Sequence, residues 1–378
     1  PLFTIAADVA DANSDTSTPG RPAVAAGDAG WMAAICSSTG LTGLLVSRDG
    51  TVTASAPLFP RSCRDGGSLT DVAFCSGTYL VVTGGDDTIR GIRVTSSGSV
   101  LDAGEGIGIA DGPSDFAPAV AAGAGAHLVV WQHYEYASLQ DIHGAIVTPN
   151  GQVTARFAIF VGEGEQAFPA VACGPSTCLV VWRDTRSGSG PAPETTIVGT
   201  RVMLDGTVLD PGGIRIAAAG GAPGDPAVAS DGTGYFVVWV HANTGAIPAI
   251  NRIGGTRVGD DGSVSDAAID IAAGPSLKAA PRVAFDGARY WVTWWTDGYP
   301  RLTRVGIGVA RVSPEGTLLD TPALDDGIRS AQPHCDTCRL VRPNLAFDGG
   351  TALLAWTNNR ETVGTTKDIE GRLVLARS

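Results

Sequence analysis

The sequence predicts an all-β fold, a seven-bladed β-propeller, and three observations support this prediction. One unit recurs seven times along the 378 residues, at spacings of 48 to 63 residues. Each unit holds four short apolar runs, rich in β-branched and aromatic residues and bounded by glycine turns, which is typical of antiparallel strands. The last unit lacks its fourth run, and the chain opens with a segment of the same kind.

The first two strands of each unit are marked by a Pro-x-Val-Ala motif and a closing tryptophan. The motif begins at Pro22, Thr70, Pro118, Pro169, Pro226, Pro281 and Pro343. The tryptophans are Trp131, Trp182, Trp239, Trp294 and Trp356, and the first two units have Ile35 and Thr83 instead. The second run does not alternate cleanly, which favours a strand covered on both faces by neighbouring blades.

The third and fourth strands are marked by a glycine and a tight turn. The glycine recurs at Gly43, Gly91, Gly144, Gly199, Gly255, Gly308 and Gly371. The turn pairs are Asp49-Gly50, Ser97-Gly98, Asn150-Gly151, Asp205-Gly206, Asp261-Gly262 and Glu315-Gly316. Such pairs supply the positive φ angles that tight hairpins need, so each is predicted to join two antiparallel strands.

Ring closure is predicted from the incomplete seventh unit. That unit ends after its third strand, Gly371 to Leu375, and the segment from Leu2 to Ala7 is predicted to supply the fourth. Closure removes strand edges that would otherwise promote aggregation. We therefore predict a single domain, residues 1–378, with four antiparallel strands per blade. The expected blades are 22–68, 69–116, 117–168, 169–225, 226–280, 281–341, and 342–378 together with 1–8.

Composition and charge exclude several classes of protein. Hydrophobic residues make up 44% of the chain and charged residues 17%, which favours a packed core over disorder. The net charge is −12 and no Lys/Arg cluster occurs, so no nucleic-acid partner is expected. No stretch reaches about eighteen apolar residues, so no membrane insertion is expected. We also predict a monomer. The chain starts at Pro1, from which we expect either that the sequence was trimmed or that a leader was removed.

The seven cysteines predict disulfides and an oxidising compartment. The candidate pairs are Cys173 with Cys178, Cys335 with Cys338, and Cys36 with Cys63, which leaves Cys75 free. The first pair flanks a four-residue turn, and the second is a CxxC without a zinc-ribbon or βαβ context. The alternative is that the cysteines stay reduced and act as small buried apolar residues.

The repeat resembles that of secreted bacterial β-propeller proteins with the consensus PxVAxDGxxYLVVWxDxR…DIxGxRVxxxGxVLD. The best matches are residues 182–186, 368–371 and 201–210. The resemblance covers nearly the whole chain and implies a secreted seven-bladed propeller. It implies little about function, because propellers serve in binding, scaffolding and catalysis alike.

Blade geometry predicts two different faces. The turns between strands one and two, and between strands three and four, are short and share what we call the short-turn face. The loops between strands two and three, and between blades, share the other, long-loop face. The loops that define it are residues 132–142, 183–197, 240–252, 295–305 and 357–369. Because binding residues concentrate on variable loops of a rigid scaffold, we expect any site on the long-loop face.

Aromatic and basic residues on that face are candidates for ligand binding. Tyr134, Tyr136, Trp295 and Tyr299 lie in or beside the loops, where they could stack on pyranose rings or pack beneath their own loops. Arg21 and Arg342 belong to adjacent blades across the closure, so they could hold an anionic group or pair with acids. Other residues expected around the central opening are Asp115, Phe116, Phe168, Asp225 and Lys278.

Glu135 and Asp184 are the candidate catalytic groups, because both are carboxylates on the long-loop face. A glycosidase needs two such groups about 5 to 10 Å apart. Asp184 with Arg186 also belongs to the repeat, which favours a structural ion pair. His133, Asp184 and His241 hold equivalent positions on neighbouring blades, too far apart to share a metal. No metal site and no cofactor are therefore predicted.

These observations favour a secreted or cell-surface binding propeller that recognises a glycan or another extracellular ligand on the long-loop face. One alternative is a carbohydrate-active hydrolase or lyase that uses loop carboxylates, so enzymatic activity stays an open question. A second alternative is a structural module of a surface assembly.

Overall fold

A computed structural model confirms the all-β fold and the seven four-stranded blades. The structure describes residues 2–10, 21–37, 40–59, 70–85, 88–112, 114–134, 140–187, 194–217, 222–243, 250–265, 268–274, 276–297, 305–320, 324–329, 343–358 and 366–375. Within these ranges, no helix is long and apolar enough to cross a membrane.

Each blade is a sheet of sequential antiparallel strands. Blade 1 contains β2 (Ala23–Gly27), β3 (Gly30–Ser37), β4 (Gly40–Ser47) and β5 (Val52–Phe59); blade 2 contains β6 (Thr70–Cys75), β7 (Thr78–Gly85), β8 (Thr88–Thr95) and β9 (Ile107–Ala110). Blade 3 contains β10 (Asp115–Gly123), β11 (Ala126–Tyr134), β12 (Gln140–Val147) and β13 (Val153–Phe160); blade 4 contains β14 (Gln166–Cys173), β15 (Cys178–Ser187), β16 (Glu194–Val202) and β17 (Ile214–Arg215).

The remaining blades follow the same order, with one interrupted inner strand. Blade 5 contains β18 (Ala222–Pro223) and β19 (Ala227–Ser230), which both pair with β20 (Gly234–Asn243), then β21 (Ile250–Gly259) and β22 (Ile269–Ala272). Blade 6 contains β23 (Leu277–Phe285), β24 (Tyr290–Asp297), β25 (Val305–Val312) and β26 (Leu324–Arg329). Blade 7 contains β27 (Asn344–Phe347), β28 (Thr351–Asn358), β29 (Thr366–Leu375) and β1 (Leu2–Ala10).

The predicted ring closure is confirmed. Strand β1 is the outer strand of blade 7 and pairs with β29 from Leu2↔Arg372 to Ala10↔Thr366. The pairing therefore reaches further along both strands than the predicted segments. Ile5 is buried, and with Phe3 it joins the cluster that packs blade 7 against blade 1.

Seven apolar clusters fill the seven interfaces between successive blades. The repeated tryptophans are all buried in or against these clusters. Gly308 shows why the third strand needs its glycine, because a Cβ there would overlap the side chain of Trp294, the residue it pairs with. The core is thus distributed between blades, while the axis remains available for a channel.

The cysteine predictions have different outcomes. Cys173 and Cys178 are confirmed as a disulfide; they are direct cross-strand partners, and their Cα atoms are only 3.8 Å apart. Cys36 is disulfide-bonded, but its predicted partner Cys63 lies outside the described residues. Cys75 is free, as predicted. Cys335 and Cys338 also lie outside the described residues.

Candidate functional site at the mouth of the central channel

The inner strands enclose a cavity of about 580 Å³. Its wall contains the starts of inner strands together with residues at the end of β11 and the start of β12, so it opens towards the long-loop face. The polar and aromatic lining residues are Arg21, Asp71, Phe116, Gln132, Gln140, Glu165, Phe168, Asp225, Arg282 and Asn344. Alanines and valines of the inner strands make up most of the rest of the wall. We call this cavity the channel mouth.

One position of the repeat explains three of these residues. The x of Pro-x-Val-Ala is alanine in blades 1, 3, 4 and 5, but it is Asp71 in blade 2, Arg282 in blade 6 and Asn344 in blade 7. Two of them reach the next blade: Asp71 Oδ2 accepts a hydrogen bond from Val120 N at 3.0 Å, and Asn344 Nδ2 donates to Pro22 O at 3.2 Å. These three residues were not predicted as site residues, although each departs from an otherwise constant alanine in the sequence.

Bulges bring the chain to the mouth in three blades. Ala117, Phe168 and Ala280 have φ of 53°, 56° and 49°, and each directly precedes the motif proline. Register shifts in β10, β14 and β23 include these residues, and the three strands begin before the predicted boundaries at 117, 169 and 281. Left-handed backbone is unfavourable for such residues, and a following proline disfavours helical backbone further. The wall of the mouth is therefore locally strained.

Asp71 has an unusual electrostatic environment. Burial raises the pKa of its carboxyl, while the hydrogen bond from Val120 N and the positive charge of Arg21 oppose that rise. The neutral acid is thereby favoured relative to an exposed aspartate. A carboxyl group of this kind can donate a proton or a hydrogen bond into the channel mouth.

A polar wall joins blades 3 and 4. Gln132 accepts a hydrogen bond from Phe168 N at 3.0 Å and donates one to Gln140. Glu165 lies 3.6 Å from the Arg183 guanidinium, which in turn sits over the Phe168 ring at 4.6 Å from its centroid. These contacts fix one aromatic ring, two amides and one carboxylate around the same part of the cavity.

A histidine–aspartate pair lies on the neighbouring strands of blade 3. His133 Nδ1 is 2.7 Å from Asp115 Oδ1, which also accepts a hydrogen bond from Trp131 Nε1 at 2.9 Å. The His143 ring lies 4.4 Å from the His133 ring. Across the described ranges, no three His, Cys, Asp or Glu side chains are grouped so that they could hold a metal ion.

Several residues expected at the mouth occupy other positions. Arg21, Phe116, Phe168 and Asp225 do line the cavity. Asp115 and Lys278 are instead buried, Asp115 in the pair with His133 and Lys278 with its Nζ donating to Ser276 Oγ at 2.7 Å. The inner strands extend upstream past their prolines, which draws these two residues into the sheet. Arg342 lies outside the described residues.

The candidate loop aromatics do not form one surface. Tyr134 is 42% exposed, outside the cavity. Trp295 is only 7% exposed and packs in the cluster between blades 6 and 7, so it is a core residue rather than a stacking platform. Its pairing with Ala279 places it within a strand instead of a loop. Tyr136 and Tyr299 lie outside the described residues.

The structure does not support Asp184 as a catalytic group. Its side chain is fully buried, accepts hydrogen bonds from Trp182 Nε1 and Arg186 N at 2.9 Å, and forms an ion pair with Arg186. These contacts are those of a structural carboxylate. The other catalytic candidate, Glu135, lies outside the described residues.

Comparison with known proteins gives a likeness of fold. No family model and no curated protein matches the chain. A crystal structure of the polysaccharide lyase Uly1 matches with a TM-score of 0.61 at 8% identity, covering 100% of this chain and 99% of that chain. A xylan β-1,4-xylosidase from Bacillus halodurans has a TM-score of 0.41 at 13% identity, covering 68% and 54%. At these identities the first match indicates a shared fold alone, and the second is too distant to support an argument.

Proposed function

We propose that this chain is a secreted or cell-surface propeller that binds a saccharide at its channel mouth. The observation that carries the proposal is the composition of the cavity: two phenylalanines together with carboxylates, amides and guanidinium groups, in about 580 Å³. Sugars offer apolar C–H faces for stacking and hydroxyls for polar groups, and ligand cavities have this order of volume. The full-length likeness of fold to a polysaccharide lyase, the repeat's resemblance to secreted propellers and the Cys173–Cys178 disulfide support it.

Binding to an oligosaccharide panel, measured by calorimetry on wild type and two variants, tests the proposal. Phe116→Ala should weaken binding about ten- to a hundredfold, the effect expected when an anchoring contact is removed. Tyr134→Ala is the matched control, because it removes an exposed aromatic of blade 3 outside the cavity. Melting temperatures check that both variants fold. If Tyr134→Ala alone weakens binding, the site lies on the outer loops; if no saccharide binds, the proposal fails.

A catalytic function is a second candidate, favoured by Asp71. We propose that, in an enzyme of this fold acting on carbohydrate, Asp71 is the general acid, because its environment favours the protonated form. Turnover should then decline as pH rises through the raised pKa of Asp71, since the reactive acid is lost.

The enzyme reading is tested by Asp71→Asn with Asp111→Asn as control. Asp111 is an exposed acid that is paired with Arg90 and does not line the cavity. Asp71→Asn should reduce hydrolysis or elimination about 10²- to 10⁴-fold while saccharide binding persists. Full activity in Asp71→Asn would contradict the assignment. Binding without any turnover by the wild type would leave the chain a binding protein, and absence of both would favour a structural module.

A further inference from the structure

The channel mouth is electrically two-sided. Arg282, Asn344 and Arg21 come from blades 6, 7 and 1, whose inner strands are neighbours across the ring closure. The opposite wall, in blades 3 and 4, holds Phe116 and Phe168 with the amides and Glu165. The arginines that line the cavity and the two aromatic rings therefore occupy different sides of it, and Arg183, which sits over the Phe168 ring, is not a lining residue.

The acidic groups of the mouth already have partners. Glu165 pairs with Arg183, and Asp71 binds Val120 N beside the charge of Arg21. Asp225 also has an interaction of its own. The carboxyl groups of Glu165 and Asp71 therefore each lie beside an arginine of their own.

Arg282 is the contrasting case. Its described hydrogen bond is from Nη1 to the carbonyl of Pro281 at 2.8 Å, and no carboxylate among the described residues lies within ion-pair distance of it. A guanidinium has five N–H donors in a planar fork that suits carboxylate and sulfate oxygens. Because the carbonyl of Pro281 accepts only one hydrogen bond from Arg282, most of the N–H donors of this guanidinium remain available to a ligand in the cavity.

The long-range field of the protein cannot account for attraction of an anion. The net charge of −12 repels anionic ligands at low ionic strength. At about 0.15 M salt, however, screening acts over about 8 Å, so contacts inside the mouth decide the preference. The charge of Arg282 is local to the cavity, where it acts at short range.

We infer that the ligand is an acidic saccharide, whose carboxylate or sulfate lies against Arg282 while its ring lies towards Phe116 and Phe168. This inference rests on the proposed saccharide binding and names the class of sugar. It makes Arg282 the specificity-determining residue of the mouth. Asn344, between the two arginines, adds polar atoms on the same side.

The test compares matched ligands by calorimetry in 0.15 M salt. The probes are a hexuronate oligosaccharide with its carboxyl-reduced form, and a sulfated oligosaccharide with its desulfated form. Wild type should prefer at least one acidic member over its neutral match by about tenfold or more, and the pair that shows it identifies carboxylate or sulfate. Arg282→Gln should remove most of this preference, because it weakens binding of the acidic member far more than binding of its neutral match.

Arg252→Gln is the control, because Arg252 is 44% exposed, pairs with Asp270 and does not line the cavity. It should keep the wild-type preference. Equal binding of acidic and neutral members, or a preference that survives Arg282→Gln, would overturn the inference while saccharide binding itself stands. Absence of binding to every probe, together with a negative oligosaccharide panel, would instead refute the proposed function.

Discussion

Both faces of the ring contain residues with positive φ, but the short-turn face meets this requirement mainly with glycine, apart from Ser76 (φ of 50°) and Ala124 (φ of 40°). On the short-turn face, the hairpin glycines have φ between 85° and 93°, as the sequence predicts: Gly50, Gly98, Gly151, Gly206, Gly262 and Gly316. At the channel mouth, Ala117, Phe168 and Ala280 have φ between 49° and 56°. Glycine adopts such angles readily, whereas other L-residues lose about 1–2 kcal/mol.

This difference distinguishes the framework, by which we mean the repeated strands and turns of the blades, from the channel mouth. Strained backbone persists only where surrounding structure holds it, and it is concentrated at ligand sites. Local preference and global fold agree at the six hairpin glycines of the short-turn face, as they do in sequences that fold efficiently. They disagree at the mouth, beside the same residues that line the cavity.

Arginines show the same contrast. On third strands, repeated arginines form two-pronged ion pairs at 2.7–2.8 Å: Arg93 with Asp102, Arg201 with Asp210, and Arg311 with Asp320. Arg201 also donates to the carbonyl of Asp260 in the next blade at 2.9 Å. Arg282 at the mouth has no comparable ion pair within the described part of the chain. The framework uses its arginines internally, while the mouth leaves one for a ligand.

The largest expected effect comes from removing the closing strand of the framework. Deleting residues 1–10 exposes the edge of β29 and uncovers the cluster that contains Ile5 and Phe3. The free energy of unfolding should fall by about 5 kcal/mol, from lost burial at about 25 cal/mol/Å² and lost strand pairing. Chemical denaturation measures it. Thr4→Ala, at an exposed position, should have little effect, and a deletion variant of wild-type stability would contradict the closure.

Much of the framework could be predicted because it repeats. Seven motif copies identify the blades, turn pairs identify the hairpins, and the missing last run identifies Leu2–Ala7 as its replacement, within the observed strand Leu2–Ala10. The starts of β10, β14 and β23 could not be predicted, because their left-handed residues contradict the preference of residues before proline. Repetition thus predicts what the blades share and hides what differs.

The mouth was predictable only in part for the same reason. Arg21 and Phe168 directly precede the motif proline, so their place at the opening follows from the repeat. Gln132 and Gln140 reach the cavity through the geometry of neighbouring strands, which sequence spacing does not reveal. Trp295 shows the opposite error, since an aromatic beside a long loop is in fact a core residue.

The second largest expected effect is a loss of stability at mildly acidic pH, caused by a buried histidine of the framework. His127 in β11 is fully buried, and burial lowers its pKa from 6.5 to about 4. The unfolded chain takes up a proton near pH 6.5 and the folded chain does not, so stability is lost as pH falls from about 6.5 towards 4. The loss should reach about 2 kcal/mol by pH 5.

Denaturation at pH 7 and pH 5 tests this, with His127→Leu as the comparison. The variant removes the titrating group, so it should lose about 2 kcal/mol less than wild type over this interval. Framework aspartates such as Asp231, whose pKa is lowered to about 2, lose their stabilising effect only at lower pH and do not interfere. An identical pH dependence in both proteins would show that His127 is not the sensitive group.

The smallest effect tests the comparison directly, by exchanging alanine and glycine between the faces. Gly232, in a short turn of blade 5, has φ of 84° and open space where a Cβ would stand. Gly232→Ala therefore adds backbone strain without a steric clash, and it should lower the free energy of unfolding by about 1–2 kcal/mol. Ala280→Gly at the mouth relieves strain, partly offset by the greater freedom of glycine in the unfolded chain, and should raise stability by about 0.5 kcal/mol. If the strained backbone at the mouth positions the residues that contact the ligand, Ala280→Gly should also weaken saccharide binding, whereas Gly232→Ala should leave it unchanged. If Ala280→Gly lowered stability as Gly232→Ala does, the backbone of the mouth would not be strained. The two faces would then differ only in the residue types that they contain.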